Sequence, residues 1–195
     1  RQGLSVDILP ATCRDFDGYG LVMAPGVMHM PDALKRALAR SAAVVVYGPR
    51  SGARTSEMAI PVPLPPAIDG LDVTVTQVES LRHDISVPLE GGGKVIRYRD
   101  VLDGTAKVIL QTTDADPVAM RDGQQIYLGG WLDDDTLDQF VSGLCGEAGI
   151  DVLPMPEGVR TRTTGGERFW FNYSDAEVAC HGVELPAAGV LRVPV

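Results

Sequence analysis

The chain is short of cysteine, of positive charge, of clustered histidine and of long apolar runs, and each shortage removes a class of function. Cys13, Cys145 and Cys180 are odd in number and far apart, which is no disulfide framework, so a reducing cytoplasm is the expected compartment. Lys and Arg total 17 against 26 Asp and Glu, and the net charge of -9 repels both a phosphate backbone and an anionic lipid surface. Neither nucleic acid nor membrane is an expected partner. No apolar run approaches the roughly 20 residues that span a bilayer, and the first residues lack the basic-then-apolar pattern of a signal peptide. His29, His83 and His181 are isolated, with no His-x-x-x-His and no cysteine pair at ligand spacing, so no metal and no cofactor are expected. Cys180 and His181 are adjacent, and on a strand they point to opposite faces.

What is present is enough apolar residue, 45%, to bury a core in 195 residues. The run Ala42-Ala43-Val44-Val45-Val46-Tyr47 ends in Gly48-Pro49-Arg50-Ser51-Gly52, and a short apolar run without alternation reads as a central strand buried on both faces. Leu21 to Pro25 reads as another buried strand. Pro31 and Asp32 start a helix whose inner face carries Leu34, Ala37, Leu38 and Ser41. Strand, helix and strand in this order favour parallel pairing through a right-handed crossover. Val6 to Leu9 is expected as a short strand closed by Pro10. The segment 60–66 is proline-rich and should run extended over the surface, and Leu71 to Val78 alternates as a half-buried strand does. Lys94 to Val101 reads as a strand into a short helix. Asp122-Gly123 supplies a hairpin turn between Val118–Arg121 and Gln124–Leu128. Asp133 or Asp134 caps a helix that buries Leu137, Phe140, Val141 and Leu144 and stops at Gly149. Past Pro154 to Gly158 the signals are all β, with Gly165-Gly166 as a hairpin turn. Phe169, Phe171 and Tyr173 are expected to pack the small β unit, leaving Trp170 on the other face. The chain opens without an initiator methionine, and Gly3 reads as the terminator of a helix upstream, so a piece of a longer polypeptide is expected.

Residues that could carry chemistry are few. Cys145 sits in Gly143-Leu144-Cys145-Gly146, a nucleophile-like spacing, but inside a helix pattern where a core thiol is the simpler reading. Cys13 lies in a loop. No pair of acids is marked for glycoside cleavage, and Asp133-Asp134-Asp135 suits a helix start. The turn 48–52 could cradle an anion through its backbone amides, with Arg50 as a fork-shaped donor. Arg50, Ser51 and Arg54 are therefore the candidate ligand or interface residues, and no catalytic residue is assigned. A cysteine hydrolase and a small-ligand binding module at the Arg50 loop are the competing readings.

Five stretches in order carry a resemblance. Val44 to Gly52, Ile60-Pro61 with Leu64-Pro65-Pro66, Val78-Glu79-Ser80-Leu81, Ile126-Tyr127-Leu128-Gly129-Gly130-Trp131 and Phe171-Asn172-Tyr173-Ser174-Asp175 resemble the carboxyl-terminal half of family 42 glycoside hydrolases, the bacterial β-galactosidases. The resemblance implies a TIM barrel with two catalytic glutamates upstream, to which no residue here corresponds. It implies that residues 1–153 are a trimerisation domain with a three-layer α/β fold like class I glutamine amidotransferases (flavodoxin-like), mainly parallel and lacking its first βα unit. Residues 154–195 would be a small all-β domain. A homotrimer is the implied partner state, with the galactoside bound by the absent barrel. No cysteine stands after Val46, where an amidotransferase would place its nucleophile, so the fold would be used without that chemistry.

Overall fold

Leu21–Ala24 forms β1, and Pro31 opens helix α1 (Asp32–Arg40), with Asp32 in the first turn and Arg40 in the last, both favourable to the helix dipole. Leu34 and Leu38, one turn apart, are buried in a core with Val45 and Tyr47. The helix leads into β2 (Val44–Tyr47), whose four residues are all buried. There follow β3 (Pro66–Ile68), β4 (Leu71–Ser80), β5 (Ser86–Pro88), β6 (Lys94–Asp103), β7 (Lys107–Gln111), β8 (Pro117–Asp122), β9 (Gln125–Leu128), β10 (Gly130–Leu132), α2 (Asp134–Glu147), β11 (Val159–Thr164), β12 (Glu167–Asn172), β13 (Val178–Cys180), β14 (Val183–Leu185) and β15 (Val190–Pro194). The computed structural model describes all residues, 1–195, as a strand-rich mixed α/β chain. It forms two compact units, one of Pro10–Phe140 and one of Arg1–Leu9 with Val141–Val195. That division falls inside α2, whereas the sequence places a boundary at Pro154.

In the Pro10–Phe140 unit one five-stranded sheet has the order β1-β2-β9-β8-β7, and a second has the order β10-β6-β4-β3 with β5 paired to β6. Val45 has the parallel neighbours expected of it, Val22 in β1 and Gln125 in β9. The expectation of a mainly parallel sheet fails beyond these three strands. Parallel pairing needs a crossover, and α1 is the one helix that supplies it; the Asp122-Gly123 turn makes β8 and β9 antiparallel, and every ladder of the second sheet is antiparallel. β1 is an edge strand rather than a buried one, with Met23 41% exposed. β6 runs on as a strand to Asp103 with no helix. Its inward positions shift from Val95 to Asp100 and Leu102 across Arg97, which has φ +64, and β6 spends two more residues than β10 between paired positions. The irregularity is a β-bulge centred on the left-handed Arg97, across which the inward side passes from odd- to even-numbered residues.

Gly129 and Gly130 carry the chain from the first sheet into the second. A Cβ on Gly129 would stand 3.0 Å from the Leu102 side chain, and one on Gly130 2.9 Å from that of Val95. The crossing is too close for any larger residue.

In the other unit, β11-β12-β15 form one sheet and β13-β14 a ribbon over a core of Met155, Val159, Trp170 and Leu185. The faces of β12 are the reverse of the expectation: Trp170 is 3% exposed while Tyr173 is 72% exposed. Alternation says which residues share a face, and here Trp170 and Asn172 share the inner one. Asn172 holds that interior by donating to the carbonyls of Ala176 (2.8 Å) and Pro186 (2.9 Å). Val6 to Leu9 is not a strand. Ile8 is 96% exposed, and the segment is tied to β11 through side chains, by Arg162 to Asp7 at 2.8 Å and by the Thr163 N–H to Ser5 Oγ. In α2, Asp133 accepts the Thr136 N–H at 2.9 Å as its cap, and Leu144 and Cys145 are buried while Leu137, Phe140 and Val141 are half-buried.

Gly48 is the packing hinge between β2 and the turn beyond it, since a Cβ there would lie 2.7 Å from both Cα and Cβ of Pro25. Gly48→Ala is expected to destabilise the chain by about 1–3 kcal/mol, the usual cost of overpacking, as a lower urea midpoint with an unchanged slope.

Candidate functional site

The turn after β2 is built by side chains that reach it from both sheets. Arg50 adopts φ +69, a left-handed conformation that costs a non-glycine residue of order 1–3 kcal/mol. Its N–H donates to Asp100 Oδ2 at 3.0 Å. Asp100 is 3% exposed, and the bulge in β6 is what turns it inward. Its carboxylate also accepts the Tyr98 hydroxyl (2.7 Å) and the Tyr127 hydroxyl (2.8 Å), while its N–H donates to the Gly129 carbonyl at 2.7 Å. A buried carboxylate is costly unless its lone pairs are satisfied, and here three donors from the turn, β6 and β9 converge on it. Burial first, and then the bond to Asp100, push the Tyr98 phenol up; burial and then the Asp100 charge do the same to Tyr127.

The three residues singled out in the sequence are brought together, but in different roles. Ser51 is fully buried and donates to the Ala24 carbonyl at 2.5 Å, which fixes the turn to the end of β1. Arg50 lays its guanidinium over the Tyr98 ring, 5.6 Å from the centroid. Arg54 donates to the Ala53 carbonyl at 2.9 Å. Arg50 and Arg54 line a cleft of ≈ 360 Å³ with Tyr98, Asp100 and apolar walls from Ile60, Leu64 and Val78.

The expected amide cradle is absent, because the turn's N–H groups are spent internally. Gly48 donates to Ala24, Ser51 to Gly48, Gly52 to Val27, Ala53 to Arg50 and Arg54 to Met28, and the Arg50 N–H is held by Asp100. Of the turn's own groups only the guanidiniums are left to meet an anion; the side chains of Thr76, Gln77 and Ser80 also line the cleft. Sequence reasoning missed Asp100, Tyr98 and Tyr127. Tyr127 lies in the quoted Ile126 to Trp131 stretch, but nothing there says that it meets an acid from β6.

The thiols offer no activated nucleophile. Cys145 is fully buried within α2, and burial pushes its thiol up, opposite to what attack requires. Cys180 is raised for the same reason, and Cys13 donates its Sγ–H to the Asp15 carbonyl.

The tyrosines give a pH signature. Their raised values mean that the folded chain keeps protons which the unfolded chain releases near the ordinary tyrosine value of 10.0. Stability is therefore whole below about pH 10 and falls as the pH rises above it. Urea midpoints should decline over about pH 10–11, and less steeply in Tyr98→Phe, which itself costs about 1 kcal/mol at neutral pH. A midpoint that stays level over that range would contradict the network.

A family model described as the β-galactosidase trimerisation domain matches residues 1–151. A β-galactosidase of Thermus thermophilus is 32% identical over 96% of this chain, and the chain spans 29% of that relative's length. Among solved structures, the β-galactosidase of the psychrophilic Marinomonas ef1 superposes with a TM-score of 0.89 at 30% identity, covering 98% of this chain and 31% of that one. The polyextremophilic β-galactosidase of the haloarchaeon Halorubrum lacusprofundi, at 23% identity, shares the fold with a TM-score of 0.84 over 97% of this chain and 33% of its own. The family model covers more than half of the sequence and takes in four of the five stretches from which the family 42 resemblance was read, all but Phe171 to Asp175: the chain belongs to the family of β-galactosidase trimerisation domains.

Proposed function

We propose that this chain is the assembly region of a β-galactosidase, acting by self-association into a homotrimer while hydrolysis of terminal β-D-galactosides takes place in a TIM barrel outside these residues. The observation that carries the reading is the trimerisation-domain match over residues 1–151. Residues 1–153 serve as the trimerisation domain, a strand-rich relative of the class I glutamine-amidotransferase fold. Its support is the parallel trio β1-β2-β9 with a turn beyond the carboxyl end of the middle strand. Residues 154–195 serve as an accessory β domain. The three cysteines stand as free thiols, which fits a cytoplasmic setting, and no helix is long and apolar enough to cross a membrane.

The surface best suited to a second copy is the strip that begins at Met58. Met58, Ile60, Val62 and Leu64 are 57%, 62%, 97% and 46% exposed, and the whole segment 48–66 contains no lysine. Contiguous exposed apolar residues without lysine are what the centre of a subunit interface requires.

Sedimentation of the 195-residue protein at micromolar concentration should return about three times the 20.8 kDa chain mass, and Val62→Asp should shift it to the monomer with unchanged circular dichroism. A wild-type monomer, or turnover of a galactoside by this chain alone, would overturn the proposal.

A further inference from the structure

The geometry points to a use for the cleft beside the turn: it is a site for a monocarboxylate carrying a small branched apolar body. Arg50 and Arg54 face a space of ≈ 360 Å³, within the roughly 300–1,000 Å³ of ordinary small-ligand pockets. Asp100 is the only acidic residue in the lining, and its oxygens are engaged by two tyrosine hydroxyls and one backbone N–H. It lowers the local charge without capping either guanidinium. Two cations and one carboxylate leave the cleft one positive charge in excess, which suits a monoanion.

The choice of carboxylate over phosphate follows from the spent amides. A phosphate is normally cradled by several backbone N–H groups, and every N–H from Arg50 to Arg54 already has an acceptor inside the protein. What remains is a planar fork, which pairs with a carboxylate through two parallel bonds; it pairs with phosphate in the same way, so the preference rests on the spent amides and on the single excess charge. The fork is pre-oriented, because Arg50 rests on a Tyr98 ring that is itself anchored to Asp100. The same cleft is lined by Val78 and by Ile60, a member of the strip offered above to a second copy; they are 59% and 62% exposed, apolar surface that a branched hydrocarbon body would cover.

The same carboxylate could be a free acid or an Asp or Glu side chain of a second copy with an apolar residue beside it supplying the hydrocarbon body; only the second case rests on the trimer reading. Isovalerate separates them. The intact 195-residue protein is titrated with isovalerate, and with methyl phosphate in parallel, while amide spectra and sedimentation are recorded on the same samples. Saturable shifts at Arg54, Ile60 and Val78 with isovalerate are expected, at least tenfold weaker with methyl phosphate. Arg50→Lys, which keeps the charge but not the fork, should weaken binding about tenfold, and Arg54→Ala serves if that variant misfolds. Binding at constant mass identifies a free acid, and binding that dissociates the assembly identifies a neighbour's side chain. A wild-type monomer defeats the trimer reading but leaves the free-acid arm intact. No saturable shift, equal binding of methyl phosphate, or an Arg50→Lys variant that binds as the wild type does would each overturn the proposal.

Discussion

A buried carboxylate has to be satisfied or the structure around it does not form, and Asp100 imposes that condition here. One of its donors, the Arg50 N–H, comes from the turn after β2, another, Tyr127, from β9, and the residue itself belongs to β6 in the other sheet. Removing any one donor would leave the buried charge under-satisfied, with two remaining partners, at a cost of about 1–3 kcal/mol. The Asp100 network thus couples two sheets, and it holds Arg50 in a left-handed conformation that an isolated turn would abandon. The rest of the turn is held alongside it: the Ser51 hydroxyl donates to the Ala24 carbonyl, and the turn's other N–H groups donate within the turn or to the carbonyls of Ala24, Val27 and Met28.

The sheet crossing at Gly129-Gly130 is the covalent counterpart of that network. It lets one chain segment supply Tyr127 to the first sheet and Trp131 to the second, with Asp100 bonded to the Gly129 carbonyl between them. Packing and polar chemistry converge on the same few residues, which gives the stretch Ile126 to Trp131 a physical meaning beyond family likeness.

Much of this was legible in the sequence where the signal is local. Four consecutive apolar residues at Val44–Tyr47, proline and aspartate at the start of α1, and Asp122-Gly123 between two strands each specify their own geometry, and each element stands where expected. Features that depend on distant chain were not legible. The run of antiparallel ladders between β2 and β9 could not be inferred from the parallel trio. Asp100 was hidden because the bulge at Arg97 changes parity midway through β6, so that strict alternation places it outward. In β12 the alternation of Phe169, Trp170, Phe171 and Asn172 was plain, but which side met a core depended on β13 and β14, which supply Leu185 to Trp170.

The spent amides of the turn have a consequence for how this surface can change. A loop that recognises an anion through its backbone must be rebuilt to recognise anything else. In this loop the polypeptide scaffold is closed to visitors, and whatever selectivity the cleft has is written in two detachable side chains over an invariant frame. Descendants of this sequence could therefore exchange one guest for another, or forgo guests altogether, by single replacements that leave the fold untouched.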